Sequence, residues 1–267
     1  MDKIQIGVAL SLNSEKYLGF LAWSACMTAS DVGRLHFILG LNGANAEMIG
    51  SIADDITRYG ATATIVDACV EGGYGSMNHG KSLDIIFQHM DAGSIGMFVD
   101  CDVAFLKKGW DTIMSSKLLD KNVIVGAEYD GEKYRGFPNV ICAMFNVWSI
   151  ALNDISFKPE GTTTLFGESL ELYGYPTGSE PITIILDTGS ELPRKLKMAG
   201  LTGTPMPLFR ADQKGAIFMK SGIRGEEYQL DGEPLLTHLG RSYTREFGVN
   251  EHAVAWEKCV REWITYA

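Results

Sequence analysis

Ile95-Gly96-Met97-Phe98-Val99 runs straight into Asp100-Cys101-Asp102, and Val103-Ala104-Phe105-Leu106 follows. An uncharged, strand-forming run that stops at two carboxylates spaced i, i+2 reads as a buried strand with an acidic carboxyl end. In open α/β sheets, ligands bind at the carboxyl ends of the strands. This strand therefore presents two hard oxygen ligands where a ligand is expected. Such ligands suit Mg²⁺ or Mn²⁺, ions that commonly bridge to phosphate oxygens. A single acid at a strand end is ordinary solvation; two acids flanking one residue between apolar runs favour a site.

The sequence on either side predicts strands and helices in alternation. Ile4–Leu10 reads as a central strand and Ser11-Leu12-Asn13-Ser14 as a polar turn. Glu15–Ala29 has helical spacing at Leu18, Leu21, Ala22 and Ala25. Arg34–Leu41 is a strand ending at Asn42, Ala46–Tyr59 a helix closed by Gly60, and Ala63–Val70 a third strand. The glycine-rich Glu71–Gly75, a helix over Asn78–Met90 and a strand over Ser94–Val99 complete the series. This order implies an α/β fold, a mostly parallel central sheet flanked by helices. Beyond it, strands are expected over Asn122–Ala127 and Val140–Ser149, weak periodicity over Pro159–Pro181 and a helix over Gly189–Met198. An amphipathic helix is expected over Glu251–Thr265, with Val254, Trp256, Val260 and Trp263 on its apolar side. Without repeats or low-complexity linkers, residues 1–267 are expected to form a single domain, with halves at 1–106 and 107–267.

Composition excludes several classes. The 267 residues carry a formal net charge of −10, which argues against broad nucleic-acid binding, since that requires a basic footprint. The five cysteines (Cys26, Cys69, Cys101, Cys142 and Cys259) are scattered, without a zinc spacing, and read as free thiols in a reducing compartment. No window approaches about 18 apolar residues, and the start is not a signal peptide. A cytoplasmic protein without a membrane span is the expectation.

Two motifs compete with a metal-diphosphate reading. Gly75-Ser76-Met77-Asn78-His79-Gly80-Lys81-Ser82 matches G-x-x-x-x-G-K-[ST], the P-loop pattern. Against it, Glu71-Gly72-Gly73-Tyr74 separates the preceding strand from the first glycine, and other strand–helix units come before it. Asp100-Cys101-Asp102 also fits a phosphohydrolase of the haloacid-dehalogenase type, but that motif normally ends the first strand, and Ala104 stands where Thr or Val is usual.

Taken together, the segments resemble a glycosyltransferase of the GT-A fold. Ala9-Leu10-Ser11-Leu12-Asn13 resembles that family's opening nucleotide-contact segment, and Asn42 stands where many members place a polar nucleoside contact. The Gly75–Ser82 segment is similar to the loop and helix that precede the metal motif. Asp100-Cys101-Asp102 resembles the DxD motif itself, and Thr237-His238-Leu239-Gly240-Arg241-Ser242 the late histidine segment that closes over a diphosphate. The resemblance implies a metal-dependent transfer of a sugar from a nucleotide-sugar donor, UDP-linked first and GDP-linked next, to a glycan or other hydroxyl acceptor. It implies Mn²⁺ or Mg²⁺ held by Asp100, Asp102 and His238. Donor contacts are implied at Leu10, Ser11, Asn13, Asn42, Asn78, Lys81, Asp100, Cys101, Arg241 and Ser242. Residues 1–106 would be the nucleotide-sugar half and 107–267 the acceptor half.

A metal bridging two phosphates stabilises the charge that develops on the departing diphosphate. Deprotonation of the acceptor requires a positioned carboxylate. Asp187, at the end of Ile184-Ile185-Leu186, is the candidate base, though Asp is also a favoured helix cap. Glu128 and Asp130 are rivals, and Tyr134-Arg135-Gly136-Phe137-Pro138-Asn139 reads as an acceptor-side loop whose aromatics could stack on a sugar.

Overall fold

The computed structural model describes residues 2–71, 75–128, 136–159, 161–211, 213–219, 223, 225–240 and 251–266. The first part of the chain alternates as its apolar runs dictate: β1 (Ile4–Leu10), α1 (Glu15–Thr28), β2 (Leu35–Leu41), α2 (Ala46–Arg58), β3 (Thr62–Asp67), α3 (Ser76–Phe87) and β4 (Ile95–Val99). There follow β5 (Val103–Phe105), α4 (Trp110–Ser115), β6 (Asn122–Glu128), β7 (Pro138–Asn146), α5 (Val147–Leu152), β8 (Thr162–Leu165), α6 (Glu168–Leu172), β9 (Ile182–Ile185) and α7 (Glu191–Met198). The last elements are β10 (Thr202–Met206), β11 (Leu208–Arg210), β12 (Glu226–Leu230), β13 (Glu233–His238) and α8 (Glu251–Tyr266).

A seven-stranded sheet has the order β10-β6-β7-β4-β1-β2-β3. Strands β4, β1, β2 and β3 are mutually parallel, and β10 is parallel to β6. Strand β7 runs antiparallel to both neighbours. Because side chains alternate across a strand, Ile4, Ile6 and Val8 join Leu18, Leu21, Ala22 and Ala25 of α1 in one apolar layer. Phe98, Phe145 and Phe157 fill the other layer beside α3. The rings of Phe98 and Phe157 meet edge to face, centroids 4.7 Å apart. Gly7 has no alternative there: an added Cβ would lie 2.6 Å from Ile86 Cγ2.

A second sheet, β11-β12-β13-β5, is antiparallel throughout. Its β12–β13 hairpin turns at Asp231 (φ 54°) and Gly232 (φ 81°), the positive φ pair that a two-residue hairpin turn needs. Helix α8 covers its end, with Trp256 against Phe20 at 5.3 Å between ring centroids. Among the described residues no helix is long and apolar enough to cross a membrane.

Several expectations are corrected by the chain's local chemistry. The strand expected over Val140–Ser149 stops at Asn146, whose Oδ1 accepts from Ser149 N and starts α5. Strand β3 stops at Asp67 rather than Val70, and α3 begins at Ser76 instead of Asn78, after Gly75 with φ 58°. In α8, Val254 is 59% exposed, and Ala253 joins Trp256 and Val260 inside. Phe137 is buried, and Asn139 turns inward to accept from Ile141 N. Burial withdraws the Phe137 ring from stacking on a sugar, whereas Asn139 lines the cavity beside Asp100; Tyr134 and Arg135 lie outside the described residues. Pro159–Pro181, read as weakly periodic, carries β8 and α6.

The P-loop reading is not favoured. Helix α3 starts at Ser76, so Gly80-Lys81-Ser82 lies in its second turn and its amides face along the helix rather than round a phosphate. Ser82 is buried, and its hydroxyl donates to the Ala68 carbonyl at 3.0 Å. Gly80 is required for packing, because an added Cβ would sit on the Phe157 carbonyl oxygen.

Candidate active site

Three residues carry the chain from one sheet to the other. Strand β4 of the large sheet ends at Val99 and β5 of the small sheet begins at Val103, so Asp100-Cys101-Asp102 occupies the crossing. Backbone bonds fix it from both sides: Asp100 N donates to Ile141 O at 2.8 Å, and Leu239 N donates to Asp102 O at 3.0 Å. His238, the last residue of β13, pairs with Val103. That register sets its Nε2 3.3 Å from Asp102 Oδ1. Asp102 and His238 are buried, 4% and 6% exposed.

On the other side of the crossing, His79 Nε2 of α3 is 3.6 Å from Asp100 Oδ1. One ligand atom each from Asp100, Asp102 and His238 lie within 4.8 Å of one another. Ligands of a small divalent cation, bound at about 2.1 Å, stand within about 4.2 Å of each other, so side-chain shifts of about half an ångström suffice. Two carboxylates and an imidazole form a donor set that suits Mn²⁺ or Mg²⁺. The residues present thus fit the metal that the DxD resemblance implies.

A cavity of about 300 Å³ opens on this group, with Glu128, Asp187, Glu226 and Tyr228 also in its wall. Asp187 follows β9. Its Oδ1 accepts from Thr188 N at 2.9 Å, and Thr188 Oγ1 donates to Ser76 O at 3.1 Å, which ties this loop to the start of α3. Ser190, not Asp187, is the residue preceding α7. The helix-cap reading of Asp187 therefore fails.

The charges are coupled. Burial alone would depress the His238 pKa, but the Asp102 and Glu226 carboxylates override it and hold the imidazole well above its ordinary value. Burial opposes ionisation of Glu226; hydrogen bonds from His238 and Tyr228 and the nearby Arg210 outweigh it and keep its carboxyl below the usual range. At Glu128 burial pushes the pKa up despite an amide bond from Gly136. The cavity wall is rich in carboxylates, an electrostatic setting that favours a bound cation.

The structure thus brings Asp100, Asp102, Asp187, Glu128 and His238 together from four separate segments. Other expected contacts stand apart from the cavity wall. The Leu10 side chain is in the core, and its carbonyl accepts from Asn42 N at 2.8 Å. Ser11, Asn13 and Asn42 stand at the carboxyl ends of β1 and β2, Cys101 is partly exposed between the two acids, and Asn78 and Lys81 lie on α3. Arg241, Ser242 and Asp130 lie outside the described residues. Glu226, Tyr228 and His79 were not singled out as site residues from sequence. The Asp231-Gly232 hairpin signal would have placed the first two beside the late histidine segment.

No protein-family model and no curated protein matches the chain. Solved structures do match. The glycosyltransferase GlyE of Streptococcus pneumoniae TIGR4 aligns over 100% of this chain and 64% of its own, with TM-score 0.55 and 13% identity. The mannosyltransferase PcManGT of Pyrobaculum calidifontis, solved in complex with GDP-Man and Mn²⁺, aligns over 77% of this chain and 55% of its own, with TM-score 0.52 and 12% identity. The chain thus spans between half and two thirds of the length of these structures. At such identities the likeness is one of fold, and the fold is that of the GT-A glycosyltransferases.

Proposed function

We propose that this chain is a metal-dependent glycosyltransferase that moves a sugar from a nucleotide-sugar donor, UDP-linked first and GDP-linked next, to an acceptor hydroxyl on a glycan or similar molecule. The observation that carries this reading is the Asp100-Asp102-His238 group at the crossing between the two sheets of a GT-A fold, in a cavity that also holds Asp187. Asp100, Asp102 and His238 would hold Mn²⁺ or Mg²⁺, which when bound supplies positive charge against the departing diphosphate. Asp187 takes the proton of the acceptor hydroxyl. Glu128, whose pKa burial raises, is its rival. Ser11, Asn13, Asn42, Asn78 and Lys81 are proposed donor contacts by resemblance, together with Leu10, Cys101, Arg241 and Ser242. Cysteines that form no disulfide among the described residues agree with a reducing, cytoplasmic setting.

The test is a thermal-shift series with UDP, GDP, UDP-sugars, GDP-sugars and ATP, each with and without Mn²⁺. Ligands that bind the folded state raise its apparent stability by mass action. Stabilisation by a nucleoside diphosphate or its sugar that requires Mn²⁺ and disappears in Asp102→Asn is expected. Indifference to every nucleoside diphosphate and its sugars, or the same response in Asp102→Asn, would overturn the reading.

A further inference from the structure

Adjacent strands of the small sheet bring Arg210, Glu226 and His238 into one cross-strand row. The register pairs Arg210 with Glu226 and Glu226 with His238. Beyond His238 the row ends at Asp102, next to Val103 of β5. The charges therefore alternate across the sheet end: Arg210, Glu226, His238, Asp102. Arg210 Nη2 is 3.4 Å from Glu226 Oε1. Glu226 Oε2 accepts from Tyr228 Oη at 2.8 Å and lies 3.0 Å from His238 Nδ1.

This placement depends on an irregularity. The register shifts by one residue between Tyr228 and Gln229. A strict two-residue hairpin about Asp231-Gly232 would pair Glu226 with Thr237 and direct the Glu226 and His238 side chains to opposite faces. The bulge sets the two side chains on the same face.

We infer that Glu226 is a positioning residue for His238: it accepts the Nδ1 proton, fixes the ring and directs Nε2 toward the cation position beside Asp100 and Asp102. This rests on the reading of that group as a divalent-cation site. A ring nitrogen held by a carboxylate fixes the tautomer and makes the other nitrogen a better ligand. Tyr228 and Arg210 keep Glu226 from turning away, each through its own contact with the carboxylate. Asp102 alone, 3.3 Å from Nε2, would leave the ring free to present either nitrogen.

The experiment is a Mn²⁺ titration of the purified protein without nucleotide sugar, followed by the electron paramagnetic resonance signal of free Mn²⁺. Glu226→Leu, which removes the acceptor, is expected to weaken Mn²⁺ binding by about 10- to 100-fold. Glu226→Gln, whose amide oxygen still accepts from Nδ1, is expected to recover part of that loss. Asp102→Asn and His238→Gln report on the cation site itself. Wild-type Mn²⁺ affinity in Glu226→Leu, with loss in Asp102→Asn and His238→Gln, overturns the role of Glu226 and leaves the metal site standing. Wild-type affinity in Asp102→Asn and His238→Gln overturns the metal site and the inference with it. A second readout does not depend on the variants folding: histidine ¹⁵N spectra of the Mg²⁺-loaded wild-type protein. A His238 proton on Nδ1 supports the inference, and a proton on Nε2 with a bare Nδ1 overturns it.

Discussion

The indole N–H of Trp256 donates to Thr237 Oγ1 over 3.0 Å, and Thr237 Oγ1 donates in turn to the Glu226 carbonyl over 2.8 Å. Helix α8 is thereby fastened to the residue immediately before His238. Trp256→Phe retains an aromatic ring beside Phe20 and removes the donor. A loss of about 1 kcal/mol is expected, read as a lower urea midpoint with an unchanged slope. An unchanged midpoint would show the bond to be dispensable.

Glu227, on the opposite face of β12 from Glu226, is fully buried. Its carboxylate accepts from Phe218 N at 2.7 Å, Met219 N at 2.9 Å and Ile217 N at 3.1 Å, and from Gln229 Nε2 at 2.6 Å. Glu227→Gln turns a buried amide N–H₂ toward backbone donors. The expected loss is about 3 kcal/mol, with faster hydrogen exchange at 217–219. Exchange rates equal to wild type would refute the carboxylate's role as the anchor of that segment.

In the metal-free protein His238 has a folded-state pKa raised above its ordinary 6.5, because Asp102 and Glu226 outweigh burial. A raised histidine pKa contributes stability that is complete below about pH 6.5 and is lost as pH climbs through the folded value. Glu226, lowered from its ordinary 4.5, acts in the other direction: its share is present above that value and fades as pH falls. In a chelator, the melting-temperature gap between wild type and His238→Gln should therefore be widest below about pH 6.5 and should narrow as the pH is raised. A gap that widens with pH would contradict this arrangement.

Asp187 and Glu128 are distinguished by which step suffers. If Asp187 receives the acceptor proton, Asp187→Asn lowers kcat by about 10²- to 10⁴-fold while Mn²⁺-dependent stabilisation by the donor stays intact. Glu128→Gln should retain most of kcat. The reverse pattern would transfer the role of base to Glu128.

Most of the large sheet was legible because buried parallel strands need long, mostly apolar runs, and Ile4–Leu10, Leu35–Leu41 and Ile95–Val99 have them, whereas β10, Thr-Gly-Thr-Pro-Met, has none. The acids of the DxD stood out for the same reason: they end such a run. The small sheet was not legible. Strands β5 and β11 have three residues each, and β12 begins Glu226-Glu227 with charge on both faces. Each of those charges has partners outside the strand that its sequence does not announce, His238 on one side and the 217–219 amides on the other. Asp187 could be named from its position after Ile184-Ile185-Leu186, whereas its distinction from a helix cap needed the observed start of α7.

The order β6-β7-β4 has a consequence for how the site comes into being. The strand carrying Ile141, antiparallel to β4, supplies the acceptor for the Asp100 amide, and His238 arrives on β13, more than a hundred residues later in the chain but paired directly with β5. A fragment ending at Leu106 would keep both acids but leave β4 with an open edge and the acids without their histidine. A nascent chain therefore carries the acids long before it can assemble the site. Such a fragment should gain cation affinity only when the remainder of the chain is added back in trans.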